Sequence, residues 1–152
     1  MQPAHPFPTL ASGTPAALTS RQRAFLGQPL FATIATTNES GAPRTAVIWY
    51  RLEPDDRILV NSRVARHWPA HLQRDGRVSL AVIGSDGYAW LGITGHVDDI
   101  DDDHDRALGD ILALADRYHP EGADPDDLAS YRAHPRITFR IAIDRVHDHL
   151  ED

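Results

Sequence analysis

The sequence of 152 residues contains no cysteine and no lysine, so its fifteen strongly basic side chains are all arginine. Without cysteine the chain cannot form disulfides or thiolate metal sites, and it cannot use a cysteine nucleophile. Without lysine it cannot form a Schiff base or the lysine clamp of a P-loop. Arginine remains, and its permanently charged planar fork is well suited to binding phosphate.

The net charge of −7 argues against a nucleic-acid partner, because such binding depends on neutralising phosphates along the backbone. The acidic residues are concentrated between Asp98 and Asp127, whereas the segment Arg57–Arg77 carries five arginines against one acid, Asp75. One basic segment on an acidic protein predicts a local site for an anion rather than an extended basic surface.

Long apolar runs are also lacking, and none approaches the roughly 18 residues that a membrane-spanning helix needs. Residues 1–18 hold four prolines and no arginine, which does not fit the charged start and apolar run of a secretory signal. We therefore expect a cytoplasmic protein without a membrane partner. Residues 1–18 are predicted to form a flexible N-terminal arm, and residues 19–150 a single domain.

The pattern of apolar, β-branched and turn residues predicts a mainly β protein with inserted helices. The first three strands, joined by short turns, are expected to form an antiparallel meander. Strands separated by turns rather than crossover helices favour a small barrel over a Rossmann sheet. The six predicted strands span 30–36, 43–51, 57–61, 77–83, 88–97 and 135–143, and the predicted helices span 19–28, 64–75, 101–118 and 126–133.

Four polar residues, Asn61, Ser62, Arg63 and Arg66, lie where a strand ends and a helix begins. A helix start presents free backbone N–H groups and the positive end of the helix dipole to an anion. Two guanidinium groups and two small hydrogen-bonding side chains would complete a phosphate cradle. The alternative is an ordinary solvated helix start.

Two histidines in the same helix, His67 and His71, have the spacing of helical metal ligands. Pro69 lies between them, and no acidic residue or cysteine stands at a set spacing from them. We therefore expect no metal site.

The chain resembles the pyridoxamine-phosphate-oxidase-like split barrels, and most closely their actinobacterial branch that binds the deazaflavin coenzyme F420. The resemblance runs from Thr19 to His147, and each stretch that carries it is short, but together, in order, they are specific. It implies a six-stranded antiparallel split β-barrel, the FMN-binding split barrel, that forms a homodimer with a cofactor site at the subunit interface. The stretches are LFATIATTNESGAPRTAVIWY, ILVNSRVARHW, LQRDGRVSLAV, DGYAWLGITGHV and PRITFRIAIDRV.

The resemblance also implies roles for particular residues. The NSRVARHW segment would contact the cofactor phosphate, the strand from Arg44 would line the ring system, and Tyr88 and Trp90 would approach from the other subunit. The branch commonly has a lysine in the first turn of the helix, so we predict that Arg66 is the principal phosphate ligand here and that Trp68 contributes packing. The implied cofactor-binding residues are Arg44, Thr45, Ala46, Asn61, Ser62, Arg63, Arg66, His67, Trp68, Tyr88 and Trp90.

The function implied is an F420-dependent oxidoreductase that moves a hydride between the reduced deazaflavin and a small, conjugated or planar organic substrate. The chemistry would reside in the cofactor, so no catalytic side chain is predicted. One alternative exchanges F420 for FMN, giving a flavin reductase or a pyridoxamine-phosphate-oxidase-like enzyme, and another is a non-catalytic cofactor-binding protein. Five arginines in 57–77 favour F420, because its oligoglutamyl tail is polyanionic whereas FMN ends at one phosphate.

Overall fold

The computed structural model describes residues 17–150, which form one curled antiparallel sheet with helices packed around it. Residues 1–16 of the predicted arm lie outside the described part, and Leu18 is already packed in the core. No helix within residues 17–150 is long and apolar enough to cross a membrane. The elements are α1 (Ser20–Leu26), β1 (Phe31–Thr37), β2 (Pro43–Ile48), β3 (Arg51–Leu52), β4 (Ile58–Arg63), α2 (His67–Arg74), β5 (Arg77–Ile83), β6 (Trp90–Asp101), α3 (His104–Tyr118), α4 (Pro125–Ala133) and β7 (Arg136–His149).

Several strands form because more and less buried side chains alternate along them, so that one face of each strand can be buried, whereas β4 and the first part of β7 are buried on both faces. In β1, Ala32 and Ile34 point into the barrel while Phe31 points outward, and β5 and the first half of β6 alternate in the same way. The predicted inner row of the last strand is confirmed, since its four members are all in the main core. They are Ile137, Phe139, Ile141 and Ile143.

The sheet curls because its two edge strands are consecutive in the chain. The strand order is β2-β1-β5-β6-β7-β4-β3, and only Trp49 and Tyr50 separate β2 from β3. Three Cα steps span at most about 11 Å, so the two edges must approach each other at this point. The result is a half-closed barrel.

Two sequence-based predictions about these strands are wrong. Residues 17–150 contain seven strands rather than six, because the predicted strand 43–51 breaks after Ile48 and Arg51–Leu52 pair with β4 instead. The break has a physical cause, since Tyr50 turns fully into the core and its hydroxyl donates to the Leu26 carbonyl at 2.9 Å. The expected meander also fails for most of its second strand, because β4 pairs with β7 and with the two-residue β3, and not with β2.

The predicted strand 88–97 would place Tyr88 and Trp90 on the same strand face, but Tyr88 lies outside the strand. The Asp86 carboxylate accepts hydrogen bonds from the backbone N–H groups of Tyr88 at 2.9 Å and Ala89 at 3.3 Å. This Asx turn keeps the backbone of Tyr88 from pairing with a neighbouring strand. The strand begins only at Trp90 and runs on to Asp101.

The outer face of the sheet is covered on one side only. Helix α3 packs Ile111 and Leu114 over Leu59 of β4 and reaches β1 only through the stack of Tyr118 on Phe31, whereas most outward residues of β2, β5 and β6 are exposed or half-buried. Phe31 and Val47 are 59% and 72% exposed there. We call the part of this surface given below the uncharged outer face, because none of its members carries a charge; Arg77, the first residue of β5, lies on the same side of the sheet beyond its edge. The members are Phe31, Thr33, Ala35, Thr45, Val47, Ser79, Ala81, Ile83, Trp90, Gly92 and Thr94.

One glycine is required by the close approach of β6 to β7. A Cβ added at Gly95 would overlap the Ala142 carbonyl oxygen and lie 3.0 Å from Cγ2 of Ile141. We expect Gly95→Ala to destabilise the fold by more than about 3 kcal/mol, because buried backbone cannot move aside. Gly109→Ala is the control, since it lies in α3 with open space around it and should stabilise by about 0.5–1 kcal/mol.

Urea unfolding of the two variants measures both effects. Equal stability of Gly95→Ala and the wild-type protein would contradict the close approach of these strands.

Candidate functional site

A groove of about 920 Å³, which we call the first groove, opens between β2 and the start of α2. Six of the predicted cofactor-binding residues line it. They are Arg44, Thr45 and Ala46 from β2, and Arg66, His67 and Trp68 from the start of α2. The structure therefore brings together two segments that are about twenty residues apart in the sequence.

Local backbone rules explain how these two segments face each other. Arg44 and Ala46 pair with Thr36 and Ile34 of β1, so they share the inward side of the ladder. Arg66 is the N-cap residue of α2, with φ −75° and ψ 161°, and its side chain makes no cap hydrogen bond. The first-turn N–H groups of α2 are therefore not satisfied by the cap side chain, which is the arrangement that suits an anion.

A second groove of about 410 Å³ adjoins the first, because Arg66 and Trp68 line both. Asn61, Ser62 and Arg63 from the end of β4 lie along it. Its other walls come from residues that the sequence-based prediction did not include, among them Trp49, Tyr131 and Arg136. The predicted residues thus fall into two connected grooves rather than one cradle.

The two small polar side chains of the predicted cradle bond within the protein. The Asn61 amide nitrogen donates to the Ala107 carbonyl and to Thr138 Oγ1, both at 2.8 Å, and its oxygen accepts from Arg136. Ser62 Oγ donates to the Arg63 carbonyl at 3.0 Å. Arginine side chains are therefore the main anion-binding groups that both grooves offer.

Arg136 was missed because nothing local in the sequence marks it as buried. It is the first residue of β7 and pairs across the ladder with Arg63. Only 5% of it is exposed, and its guanidinium lies 5.4 Å from the ring of Tyr131. Burial lowers the pKa of Arg136 to about 10, so the group stays protonated at neutral pH. The pairing of two arginines on neighbouring strands is the signal, but it is visible only once the strand order is known.

The basic segment 57–77 contributes fewer free charges than the sequence predicted. Arg57 pairs with Asp55 and Asp98, and Arg77 is held by Asp75 at 2.6 Å. That contact lowers the pKa of the Asp75 carboxyl to about 2. Arg74 donates to the Thr37 carbonyl.

The remaining two arginines of the segment are Arg63 and Arg66. Within residues 17–150 they form no ion pair, and neither does Arg44. Arg44, Arg63 and Arg66, which line the two grooves, are thus not neutralised by a carboxylate within the described residues.

His71 lies in the wall of the first groove and is neutral at neutral pH. Its Nδ1 lies 2.9 Å from Thr36 Oγ1. Burial lowers the pKa of His71, and the neighbouring Arg74, His67 and Arg44 lower it further against the opposing carboxylate of Glu39.

Tyr88 and Trp90 do not line either groove of their own chain. Trp90 is stacked between His147 and His149, with ring centroids 5.1 and 5.2 Å away. Tyr88, in the preceding turn, is 70% exposed. Both lie at the end of the uncharged outer face, so a role in cofactor binding requires a second subunit.

A half-closed antiparallel barrel with helices packed around it is the architecture of the split-barrel proteins. Residues 18–150 match the sequence model of the pyridoxamine 5'-phosphate oxidase family, and the chain belongs to that family. No curated protein sequence matches the chain.

Three solved structures illustrate how widely this fold is shared. An F420 reductase is 21% identical with a TM-score of 0.70, covering 86% of this chain and 98% of that protein. A conserved hypothetical protein, Rv2991 from Mycobacterium tuberculosis, is 22% identical with a TM-score of 0.68, and the match covers 89% of this chain and 87% of that protein. HutZ, a heme storage protein from Vibrio cholerae, is 13% identical with a TM-score of 0.64, covering 88% and 95%. At these identities the likeness shows the fold.

Proposed function

We propose that the protein is an F420-dependent oxidoreductase that transfers a hydride between the deazaflavin and a small planar organic substrate. The observation that carries the proposal is the pair of arginines Arg44 and Arg66, unpaired within the described chain, at the mouth of the first groove. Membership of the family and the F420 reductase among the similar structures support it.

The residues of the first groove fit such a cofactor. Arg66 and the uncapped first turn of α2 would hold the phosphate, and Arg44 would add a second guanidinium. The part of the Trp68 indole that lines the groove and the side chain of Ala46 would flank the ring system. When bound, the deazaflavin supplies the hydride chemistry, while this chain binds it, orients it and excludes water.

FMN binding is distinguished from F420 binding by affinity and by salt. We expect F420 to bind at least tenfold more tightly than FMN, because its tail adds negative charges beyond the phosphate at Arg66, in a groove that also offers the guanidinium of Arg44. Raising the salt concentration should weaken F420 binding more, since exposed charges are screened more than a buried phosphate. Fluorescence titrations of the purified apo-protein measure both affinities, and tighter FMN binding with a yellow purified protein would identify a flavoprotein.

A non-catalytic role as a heme-binding protein is the second candidate. One observation favours it, since His67 and His71 line the first groove and neutral imidazole can ligate iron. Hemin titration tests it by its absorbance band. Hemin binding tighter than F420 binding, lost in His67→Ala, would support storage or transport over hydride transfer.

We also propose that the protein works as a homodimer through its uncharged outer face. An exposed sheet surface with Phe31 and Val47 at its rim is typical of an interaction site. Those two residues also border the second groove, so a partner subunit seated here would bring its Tyr88 and Trp90 toward the grooves. A twofold contact of one surface with itself is the commonest arrangement of oligomers.

A further inference from the structure

The second groove contains a buried cation without a matching anion. Arg136 is 5% exposed, and its Nε and Nη2 atoms donate to the single oxygen Oδ1 of Asn61, at 3.1 and 2.9 Å. No carboxylate among residues 17–150 forms an ion pair with it. A buried charge that lacks a counter-ion is costly, so its retention calls for an explanation.

A chain of hydrogen bonds holds Arg136 in place without neutralising it. Asn61 donates to Thr138 Oγ1 at 2.8 Å, and Thr138 donates to Asp110 Oδ2 at 2.8 Å. The nearest carboxylate in this network is therefore two neutral side chains away. The arrangement fixes the guanidinium at the groove wall and leaves its positive charge available to a ligand.

The charges around Arg136 match a ligand with one negative charge. Arg63, Arg66 and Arg136 line the groove, and Asp127 is the one carboxylate among the described lining residues. If Arg66 binds the cofactor phosphate, the groove keeps the two positive charges of Arg63 and Arg136 and the one negative charge of Asp127. Its net charge is then +1. A carboxylate at neutral pH carries one negative charge and accepts the two parallel N–H bonds of a guanidinium.

The remaining walls of the groove suit a flat, apolar body. Trp49 lies along it and is held by a parallel stack on Tyr118, with ring centroids 4.8 Å apart and planes at 8°. Tyr131 forms another wall, and Ile111 and Leu114 add apolar surface. A volume of about 410 Å³ is within the range of sites for small organic ligands.

We propose that the second groove binds a small planar organic carboxylate, with its carboxylate on Arg136 and Arg63 and its conjugated body beside Trp49 and Tyr131. The inference deepens the proposed function and rests on it in one respect, namely that the acid is the substrate beside a cofactor in the first groove. Binding of the acid itself requires no cofactor.

The test is calorimetric titration of the full chain with trans-cinnamate and with its neutral isostere trans-cinnamamide, each with and without F420. Cinnamate is expected to bind at least tenfold more tightly than the amide. Arg136→Met and Arg63→Met should each weaken cinnamate binding tenfold or more, whereas Arg132→Met, on the exposed last turn of α4, should not. Arg63→Met is included because Arg136→Met also leaves the buried Asn61 oxygen without its donor, and the Tm of every variant is measured alongside.

Equal binding of the acid and the amide, unchanged affinity in both groove variants, or displacement of F420 by cinnamate would overturn this inference. Failure of the proposed function has a different signature. If cinnamate binding follows the two arginines while F420 does not bind, the proposed function fails and the organic-acid site stands. If F420 binds and cinnamate does not, only the organic-acid site is lost.

Discussion

Arg66→Ala is expected to weaken F420 binding about ten- to a hundredfold while leaving the fold intact. A hydrogen bond between charged groups contributes roughly 1.5–3 kcal/mol, which is the free energy that this change in affinity represents. The fold should not suffer, because Arg66 is exposed, makes no cap hydrogen bond and forms no ion pair within the described chain. Fluorescence titration with F420, with Arg132→Ala as the matched control, measures the effect.

Trp68→Phe should lower the free energy of unfolding of the protein while leaving its affinity for F420 nearly unchanged, which is the reverse of the result expected for Arg66→Ala. Trp68 is only 7% exposed and packs against Phe139, with ring centroids 5.9 Å apart. Its indole can donate one hydrogen bond and carries no charge. If Trp68→Phe abolished binding and Arg66→Ala did not, the phosphate would have to lie elsewhere and the cofactor would enter the barrel in another orientation.

Much of the fold could be predicted from the sequence because buried and exposed residues alternate along β1, β5 and the first half of β6, and because β4 and β7 are rich in apolar residues. The strand Arg77–Ile83 was predicted to the residue, and the inner row of β7 follows directly from apolar residues at every second position. Strand pairing could not be predicted in the same way. The contact of β4 with β7 joins residues about 75 positions apart, and the break at Tyr50 depends on carbonyl groups of α1.

In the candidate site, too, residues placed by local sequence could be predicted, and residues placed by tertiary packing could not. Arg66, His67 and Trp68 could be placed at the start of a helix because a helix start is a local feature, readable from adjacent residues, and the structure has them lining the first groove. Arg136 could not, since its burial arises from α4, β4 and β7 meeting in space. Asn61 was given a role toward the cofactor, but its amide is used to hold Arg136. Only the packed structure shows that difference between a ligand-binding side chain and one that positions its neighbour.

Ala81→Arg is expected to convert the proposed homodimer into a stable monomer. Ala81 lies at the centre of the uncharged outer face, paired with Thr33 on one side and Gly92 on the other, so three small residues form a flat row there. An arginine at this position would place two unpaired charges in a twofold interface. Each uncompensated buried charge costs about 3–5 kcal/mol, which corresponds to a dimer dissociation constant raised at least about a hundredfold.

The same substitution should also weaken cofactor binding if Tyr88 and Trp90 of the partner subunit complete the grooves. Sedimentation velocity at micromolar concentration measures the oligomeric state, and F420 titration of the same sample measures the affinity. Ala113→Arg, on the exposed side of α3, is the matched control and should remain dimeric. A wild-type protein that is monomeric at these concentrations would remove the proposed dimer. A monomeric Ala81→Arg variant with full affinity would show instead that one subunit binds the cofactor alone, without the partner's Tyr88 and Trp90.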